Sequence, residues 1–388
     1  MEIFSSQFTL GILGGGQLGK MLLYDTRKFD VRTIVLDPAA DAPSRIACDE
    51  FYQGDLMDFQ TVYNFGKNAD VLTIEIENVN LDALEQLEAE GLPVYPSSKT
   101  LRLIQDKSVQ KQFYRENGIP TAAFRRFNSA DELRQAVQNG EIHLPFVWKS
   151  ARFGYDGNGV KIIRRPQDLE QVAPGACIAE KMIPFALELA VIVARTPDGH
   201  ASTYPVVEME FHPEANQVEY VLCPARISDE VAQKAIDTAL LVSEKFNHVG
   251  LLAVEMFMTE DEEILVNEVA PRPHNSGHYS IEAAYTSQFE QHLRAILHLP
   301  LGSTASKVSG VMVNLVGEEG HSGDVVYQNI AEIMAIPGVT PHIYGKKQTR
   351  PFRKMGHVTI VHHDINEARM IAERVKKSIK VVAENKEI

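Results

Sequence analysis

Glu255 and Glu268 are the acidic residues of this chain placed best to do chemistry. They lie in the apolar segments Val254–Met258 and Ile264–Glu268, on either side of an acidic turn at Thr259–Glu263. With that turn centred between Asp261 and Glu262, the two glutamates are direct partners across a hairpin and share one face. Like charges held opposite each other destabilise a sheet unless something positive lies between them. A hard divalent cation meets that need: Mg²⁺ takes one or two carboxylates and completes its shell with phosphate oxygens and water. The competing reading is a solvated hairpin edge. It sits poorly with Ala253, Val254, Met256, Phe257, Ile264, Leu265 and Val266, which mark buried strands. Strict alternation turns Asn267 to the other face, so Asn267 can join the site only through a twist or a bulge.

After Glu268 the chain runs Val269-Ala270-Pro271-Arg272-Pro273-His274-Asn275-Ser276-Gly277-His278. Arg272 stands between two prolines, which stiffen the loop. A rigid Arg beside a metal suits stabilisation of a transferring phosphoryl group or an anionic intermediate. His274 can serve there as acid, base or hydrogen-bond partner. Residues 345–354 carry Lys346, Lys347, Arg350, Arg353 and Lys354 with no acid among them. That cluster reads as a solvated loop or as a phosphomonoester pocket built on Lys346, Arg353 and Lys354. Lys149 ends a strand just before the glycine-rich stretch Gly154-Tyr155-Asp156-Gly157-Asn158-Gly159, whose backbone can approach phosphates closely. No G-K-[ST] follows those glycines, so a bound ATP would lie between two antiparallel units and not on a P-loop. Near the start, Gly14, Gly16 and Gly19 fit G-x-G-x-x-G between a strand and a helix, and Asp37 ends the next strand. Three readings stay open at this turn: a dinucleotide site, a tight turn that needs small residues, or a site for another ligand through Gln17 and Leu18.

The elements that must position these groups follow from periodicity. Phe8–Leu13, Val31–Leu36, Val71–Ile74 and Pro93–Tyr95 read as strands, alternating with helices over Gln17–Phe29 and Leu81–Glu90. This is the pattern of a doubly wound parallel sheet in a first domain, 1–103. A helix over Asp106–Asn117 and strands at Phe146–Lys149, Val160–Ile163 and Cys177–Glu180 make a small α+β unit, 104–185. From Leu187 hairpins dominate, with a long helix at Asp229–Phe246, a strand-rich part from about 309 and a terminal helix near Ile365; the third unit is 186–388. The chain has 388 residues, 44% hydrophobic and 23% charged, and its net charge of −14 makes nucleic acid an improbable partner. Three widely spaced cysteines fit neither a disulfide framework nor zinc. No basic secretory start and no uncharged apolar run of about 18 residues is present, so a cytoplasmic protein without membrane contact is expected.

Taken in order, the glycine turn, Asp106-Lys107 with Gln110-Lys111-Gln112, the Gly154–Gly159 stretch, Asn267-Glu268-Val269-Ala270-Pro271-Arg272, His274–His278 and Arg353-Lys354-Met355-Gly356-His357 resemble the ATP-grasp superfamily. Within it they resemble most closely the N5-carboxyaminoimidazole ribonucleotide synthetases, the ATPase subunits of phosphoribosylaminoimidazole carboxylase. The chain departs from that family in Lys107, where some members have Arg, and in Phe352, where Gly is frequent.

The resemblance implies an ATP-grasp fold with an N-terminal pre-ATP-grasp domain, a small lid domain and a C-terminal α+β domain. The implied activity is ATP-dependent carboxylation of 5-aminoimidazole ribonucleotide by bicarbonate, through carboxyphosphate, in purine biosynthesis. It implies ATP contacts at Lys107, Lys149, Gly154 to Val160, Glu180, Lys181, Met182, Ile183, Glu188, His212, Asn267 and Glu268, and Mg²⁺ on Glu255 and Glu268. Gln17, Leu18, Glu75, Tyr155, Asp156, Arg272, His274 and Asn275 would surround the ribonucleotide or the carboxyl group, and Lys346, Arg353 and Lys354 its 5′-phosphate. Arg272, His274, Tyr155, Asp156 and Lys149 would act in catalysis. A homodimer is expected, and no biotin. The other functions weighed are a nicotinamide oxidoreductase, an ATP-grasp ligase with a different acceptor, and a catalytically silent binding subunit.

Overall fold

The computed structural model describes residues 2–152, 159–212 and 217–384. The Gly154–Asn158 part of the glycine-rich stretch, with Tyr155 and Asp156, lies outside the described residues. The first layer is a five-stranded parallel sheet in the order Glu50–Gln53, Arg32–Asp37, Thr9–Leu13, Val71–Ile74, Val94–Tyr95. Thr9–Leu13 and Val71–Ile74 are buried along their whole length, as central strands covered on both faces must be. The helix Gln17–Lys28 follows the first strand through a turn in which Gly14 has φ +100°, a conformation that favours glycine. Two elements that periodicity missed complete this layer. The short strand Glu50–Gln53 follows a compact 3₁₀ turn, and the helix Phe59–Gly66 is started by the Asp58 side chain.

A four-stranded antiparallel sheet comes next, in the order Phe124–Phe127, Cys177–Lys181, Phe146–Ser150, Val160–Ile163. Phe146 and Trp148 enter its core with Phe127, Leu133 and Ala136, the last two from the helix Ala130–Gln138. The helix Lys107–Glu116 bridges this sheet and the next layer: Lys111 pairs with Glu180, while Phe113 and Tyr114 pack on Phe246 of the long helix Asp229–Phe246.

The largest layer is an antiparallel sheet that runs Ile264–Ala270, Gly250–Thr259, Phe185–Arg195, Val207–Phe211, Val218–Cys223, Ser309–Val316, Lys354–His362, Val339–Ile343. Ala201–Thr203 adds to Phe185–Arg195. The C-terminal strands are therefore continuous with the central ones through the pairing of Val218–Cys223 with Ser309–Val316. Alternation sorts the side chains. Leu189, Val191, Val193, Leu252 and Val254 face Val231, Ala235, Ala239 and Val242 of the long helix. Ala190, Ile192, Leu251 and Ala253 face the opposite side. Glu188 and Glu255 belong by parity to that second face.

The long helix fixes the back of this sheet and is started by Ser228, whose side chain accepts the Val231 N–H. Losing such a cap costs about 0.5–2 kcal/mol. Ser228→Ala is therefore expected to lower the urea unfolding free energy by about 1 kcal/mol with turnover unchanged; a loss several times larger would mean that Ser228 does more than cap.

Candidate active site

The hairpin pairs Glu255 directly with Glu268, as its spacing predicts, but by a different route. Near the turn the partners are Met256 with Val266 and Met258 with Ile264, and the register shifts between Glu255 and Met256. The turn is thus centred one half-step earlier than expected, and a bulge at Asn267 restores the pairing of the glutamates. The bulge also frees Asn267 from strict alternation: its Oδ1 accepts a hydrogen bond from Lys149 Nζ at 2.9 Å. Thr121 props the bulge, since its hydroxyl donates to the Val266 carbonyl (2.7 Å) while the Val266 N–H donates to the Pro120 carbonyl (2.8 Å).

Cations from other elements meet this acidic pair. Lys107 Nζ lies 2.7 Å from Glu268 Oε2. Its helix is capped by Asp106, one oxygen of which accepts from Ser108 and Val109 N–H while the other holds Arg152 Nε at 2.9 Å. The Lys107 ammonium, helped by Lys149, pulls the Glu268 carboxyl below its ordinary range. Burial, reinforced by the charges of Glu268 and Glu188, pushes Glu255 up. Burial, and then Glu268, raises Glu188 to about 7. Lys354 and Lys107 oppose the rise at Glu255, and His274 adds to the lowering at Glu268. The donors are hard oxygens, and among the described residues no group of three or more His, Cys, Asp or Glu could hold an ion. A carboxylate pair of this kind suits a Mg²⁺ whose other positions are filled by nucleotide phosphates and water.

A cleft of about 490 Å³ joins this pair to the N-terminal glycine turn. It is lined by Gln17, Leu18, Glu75, Lys107, Glu255, Glu268, Arg272, His274, Asn275 and Lys354 from the expected set. The turn holds carboxylates of this chain where a dinucleotide phosphate would lie. Leu18 N–H donates to Glu75 Oε1 (3.2 Å) and Gly15 N–H to Asp37 Oδ2 (2.7 Å). A Cβ on Gly16 would stand 2.5 Å from Glu75 Oε1, so that glycine makes room for a side chain. Of the readings open at this turn, the geometry speaks against a dinucleotide phosphate; it accounts for the small residues there, and Gln17 and Leu18 line the cleft. Burial lifts Glu75 to about 7 against the opposing charge of Arg272.

Arg272 Nε is 2.9 Å from Glu77 Oε1, which ties the proline-bounded loop to the N-terminal layer. His274 Nε2 faces Glu255 Oε1 at 3.4 Å, and its Nδ1 accepts from the Ser276 N–H at 3.3 Å. Asn275 exchanges two hydrogen bonds with Asn314. Glu77, Asn314 and Ser276 were not singled out from sequence; Glu77, two residues beyond Glu75 at a strand end, had the only available signal.

Other expected residues lie beyond the lining of this cleft. Lys149 and Glu180 pair at 2.7 Å behind Asn267, and Lys181, Met182 and Ile183 form the crossing from the small sheet into Phe185–Arg195. Gly159 and Val160 begin the return strand opposite Lys149. Lys346 Nζ donates to the Lys354 carbonyl (2.7 Å) and Arg353 to the Gln348 carbonyl (2.5 Å). The His212 ring meets Phe352 edge-on at 5.8 Å. Phe352 has φ +61°, a left-handed conformation that favours glycine.

Family models match the three parts of the chain: a ribonucleotide synthetase preATP-grasp domain over residues 7–105, an ATP-grasp domain over 112–289 and a phosphoribosylaminoimidazole carboxylase C-terminal domain over 310–370. The chain is 39% identical over 357 residues to N5-carboxyaminoimidazole ribonucleotide synthase of Bacillus subtilis, covering 91% of each. The chain belongs to the N5-carboxyaminoimidazole ribonucleotide synthase family. It is a ligase of the ATP-grasp type that acts in purine biosynthesis. The synthetase of Thermotoga maritima superposes with a TM-score of 0.89 at 43% identity, covering 97% of this chain and 100% of that one. The Aspergillus clavatus enzyme, in complex with ADP and 5-aminoimidazole ribonucleotide, gives 0.86 at 34% identity, covering 96% and 98%. Phosphoribosylaminoimidazole carboxylase of Saccharomyces cerevisiae is 37% identical, and the chain spans 63% of its length. Among the described residues no helix is long and apolar enough to cross a membrane.

A raised carboxyl pKa in the folded state means that folding retains a proton which the unfolded chain releases near 4.5. Stability from Glu75 is then full below that value and lost as pH rises through about 7. Glu75→Gln is expected to shrink the fall in urea midpoint between about pH 5 and about pH 8 in the ligand-free protein. An unchanged pH dependence would show Glu75 ionised throughout.

Proposed function

We propose that the cleft carboxylates the amine of 5-aminoimidazole ribonucleotide with bicarbonate at the expense of ATP, with the ribonucleotide on the N-terminal side and the nucleotide phosphates on the hairpin side. The observation that carries this reading is the facing pair Glu255 and Glu268 at one end of a cleft whose other end is Gln17, Leu18 and Glu75. The proposed units are 1–103, 104–185 and 186–388, with a strand-rich part from about 309; the cleft draws residues from each.

In the proposed reaction a bicarbonate oxygen attacks the γ-phosphorus of ATP and the bond from phosphorus to the β–γ bridging oxygen breaks, leaving ADP and carboxyphosphate. The ribonucleotide amine then forms its bond to the carboxyl carbon, directly or after release of CO₂. Inorganic phosphate departs and the amine gives up a proton. Lys107 and Lys149 neutralise phosphate charge; Lys181, Met182 and Ile183 would meet the base, with Glu188 and His212 nearby. Mg²⁺ on Glu255 and Glu268 would supply further charge neutralisation at the transferring phosphoryl group. Arg272, held by Glu77, would meet carboxyphosphate, and a guanidinium suits the paired oxygens of its carboxylate and phosphoryl groups. His274, or Asp156 of the glycine-rich stretch, takes the amine proton. Carboxyphosphate is labile in water, which gives the Gly154–Val160 stretch, with Tyr155, its proposed part as a lid. Asn275 orients the ribonucleotide, and Lys346, Arg353 and Lys354 bind its 5′-phosphate. A cytoplasmic homodimer without biotin remains the proposed state.

ADP release that depends on both 5-aminoimidazole ribonucleotide and bicarbonate is the expected result; release indifferent to the ribonucleotide would assign a different acceptor. Glu268→Gln is expected to lower kcat by about 10²-fold or more at saturating Mg²⁺, and near-normal turnover would remove the metal from this pair. Arg353→Ala is expected to raise KM for the ribonucleotide about tenfold and leave KM for ATP unchanged. Equal rises in both would place Arg353 outside the phosphate pocket.

A further inference from the structure

Lys111 has no part in the chemistry above, yet it is 2% exposed in the middle of the site's support. Its Nζ lies 2.8 Å from Glu180 Oε1, while Lys149 Nζ lies 2.7 Å from Glu180 Oε2. One buried carboxylate therefore holds two ammonium groups, one on each oxygen. Lys111 also donates to Thr121 Oγ1 at 2.6 Å, and that hydroxyl donates in turn to the Val266 carbonyl at the bulge. The carbonyl is itself 3.5 Å from Lys111 Nζ. A single side chain thus joins the strand Cys177–Lys181 to the hairpin residue just before Asn267 and Glu268.

The two lysines are not equivalent. Lys149 touches Asn267 as well as Glu180 and sits at the start of the glycine-rich stretch. Lys111 is enclosed by Glu180, Thr121 and Val266 and does not line the cleft. On the reading that Lys149 binds nucleotide phosphates, on which this inference rests, its ammonium must loosen from Glu180 when ATP arrives. A buried carboxylate deprived of its counter-ion is strongly unfavourable. We infer that Lys111 is a positioning residue that keeps Glu180 paired while Lys149 turns to the phosphates of ATP, and that through Thr121 it holds the bulge presenting Asn267. Glu180 is then a holder that releases Lys149 at low cost because a second cation stays behind.

The test is steady-state kinetics and calorimetric ATP binding on the full chain. Lys111→Met leaves Glu180 with Lys149 alone, so Lys149 is retained. KM and Kd for ATP are expected to rise about tenfold or more, with KM for the ribonucleotide within about twofold of the parent. The double variant Lys111→Met with Glu180→Gln removes the competing charge and is expected to recover most of the lost ATP affinity. A double variant no better than Lys111→Met would overturn the inference, as would equal rises in both KM values. Should Lys111→Met not fold, Lys111→Gln and Lys111→Arg carry the comparison: Gln is expected to weaken ATP and Arg to spare it, and equal values for the two overturn the inference. Lys149→Met separates the two levels. If it leaves ATP binding intact, the underlying assignment of Lys149 fails; if it weakens ATP while Lys111→Met does not, only the role of Lys111 fails.

Discussion

Two carboxylates directly opposed across neighbouring strands are the constraint on which this structure turns. The hairpin cannot relieve the repulsion from within, because the residues around Glu255 and Glu268 are apolar and one face packs on a long helix. Relief has to come from elements distant in sequence. Lys107 is delivered by a helix start that Asp106 caps, and Lys149 by the end of a strand in another sheet. These cations hold Glu268 ionised but leave Glu255 and Glu188 pushed toward the neutral form by burial and by their charged neighbour. The ligand-free fold thus concentrates opposed carboxylates at one spot, and on the proposed function a cation bound there would relieve them.

The bulge at Asn267 shows how local backbone irregularity sets the donor list. Carried on regularly from the Met256–Val266 pair, the ladder would set Asn267 opposite Glu255 and turn Glu268 to the helix side with Ile264 and Val266. One extra residue brings Glu268 opposite Glu255 while Asn267 still reaches Lys149. An irregular register needs support from outside the ladder, and Pro120, Thr121 and Lys111 supply it through the Val266 N–H and carbonyl. The same lysine reaches Glu180 in the small sheet.

What was legible in the sequence follows from what is local. The long helix was bounded exactly, Asp229–Phe246, because Ser228 and the positive-φ Asn247 mark its ends and its spacing is regular. The facing glutamates were reached from a turn centred half a residue too late, and the pairing holds because the bulge at Asn267 makes up the difference. The bulge was not legible, since inserting one residue costs little locally and is decided by Thr121, which is far away in sequence. Nor were the short strand Glu50–Gln53 and the C-terminal strands that extend the central sheet; a strand's neighbour in a large sheet is a tertiary choice. Of the residues expected at the site, the charged ones Glu75, Lys107, Glu255, Glu268, Arg272 and Lys354 line one cleft. Lys111 stood in a motif without a role, and Glu77 and Asn314, which contact Arg272 and Asn275, carried no motif of their own.

The glycine turn near the start makes the same point from the opposite direction. By pattern it is a phosphate cradle, and its N–H groups do attract anions, but the anions are supplied by the chain. Asp37 closes on Gly15 and Glu75 on Leu18. A nucleotide phosphate placed there would have to displace two carboxylates in a region already rich in negative charge. A neutral or cationic group, by contrast, meets a carboxyl near 7 that can accept or donate a proton. The two ends of the cleft thus differ electrostatically: an opposed acidic pair beside Lys107 at the hairpin end, and a helix terminus already filled by Asp37 and Glu75 at the other. That polarity follows from which backbone N–H groups the chain's own carboxylates have already taken.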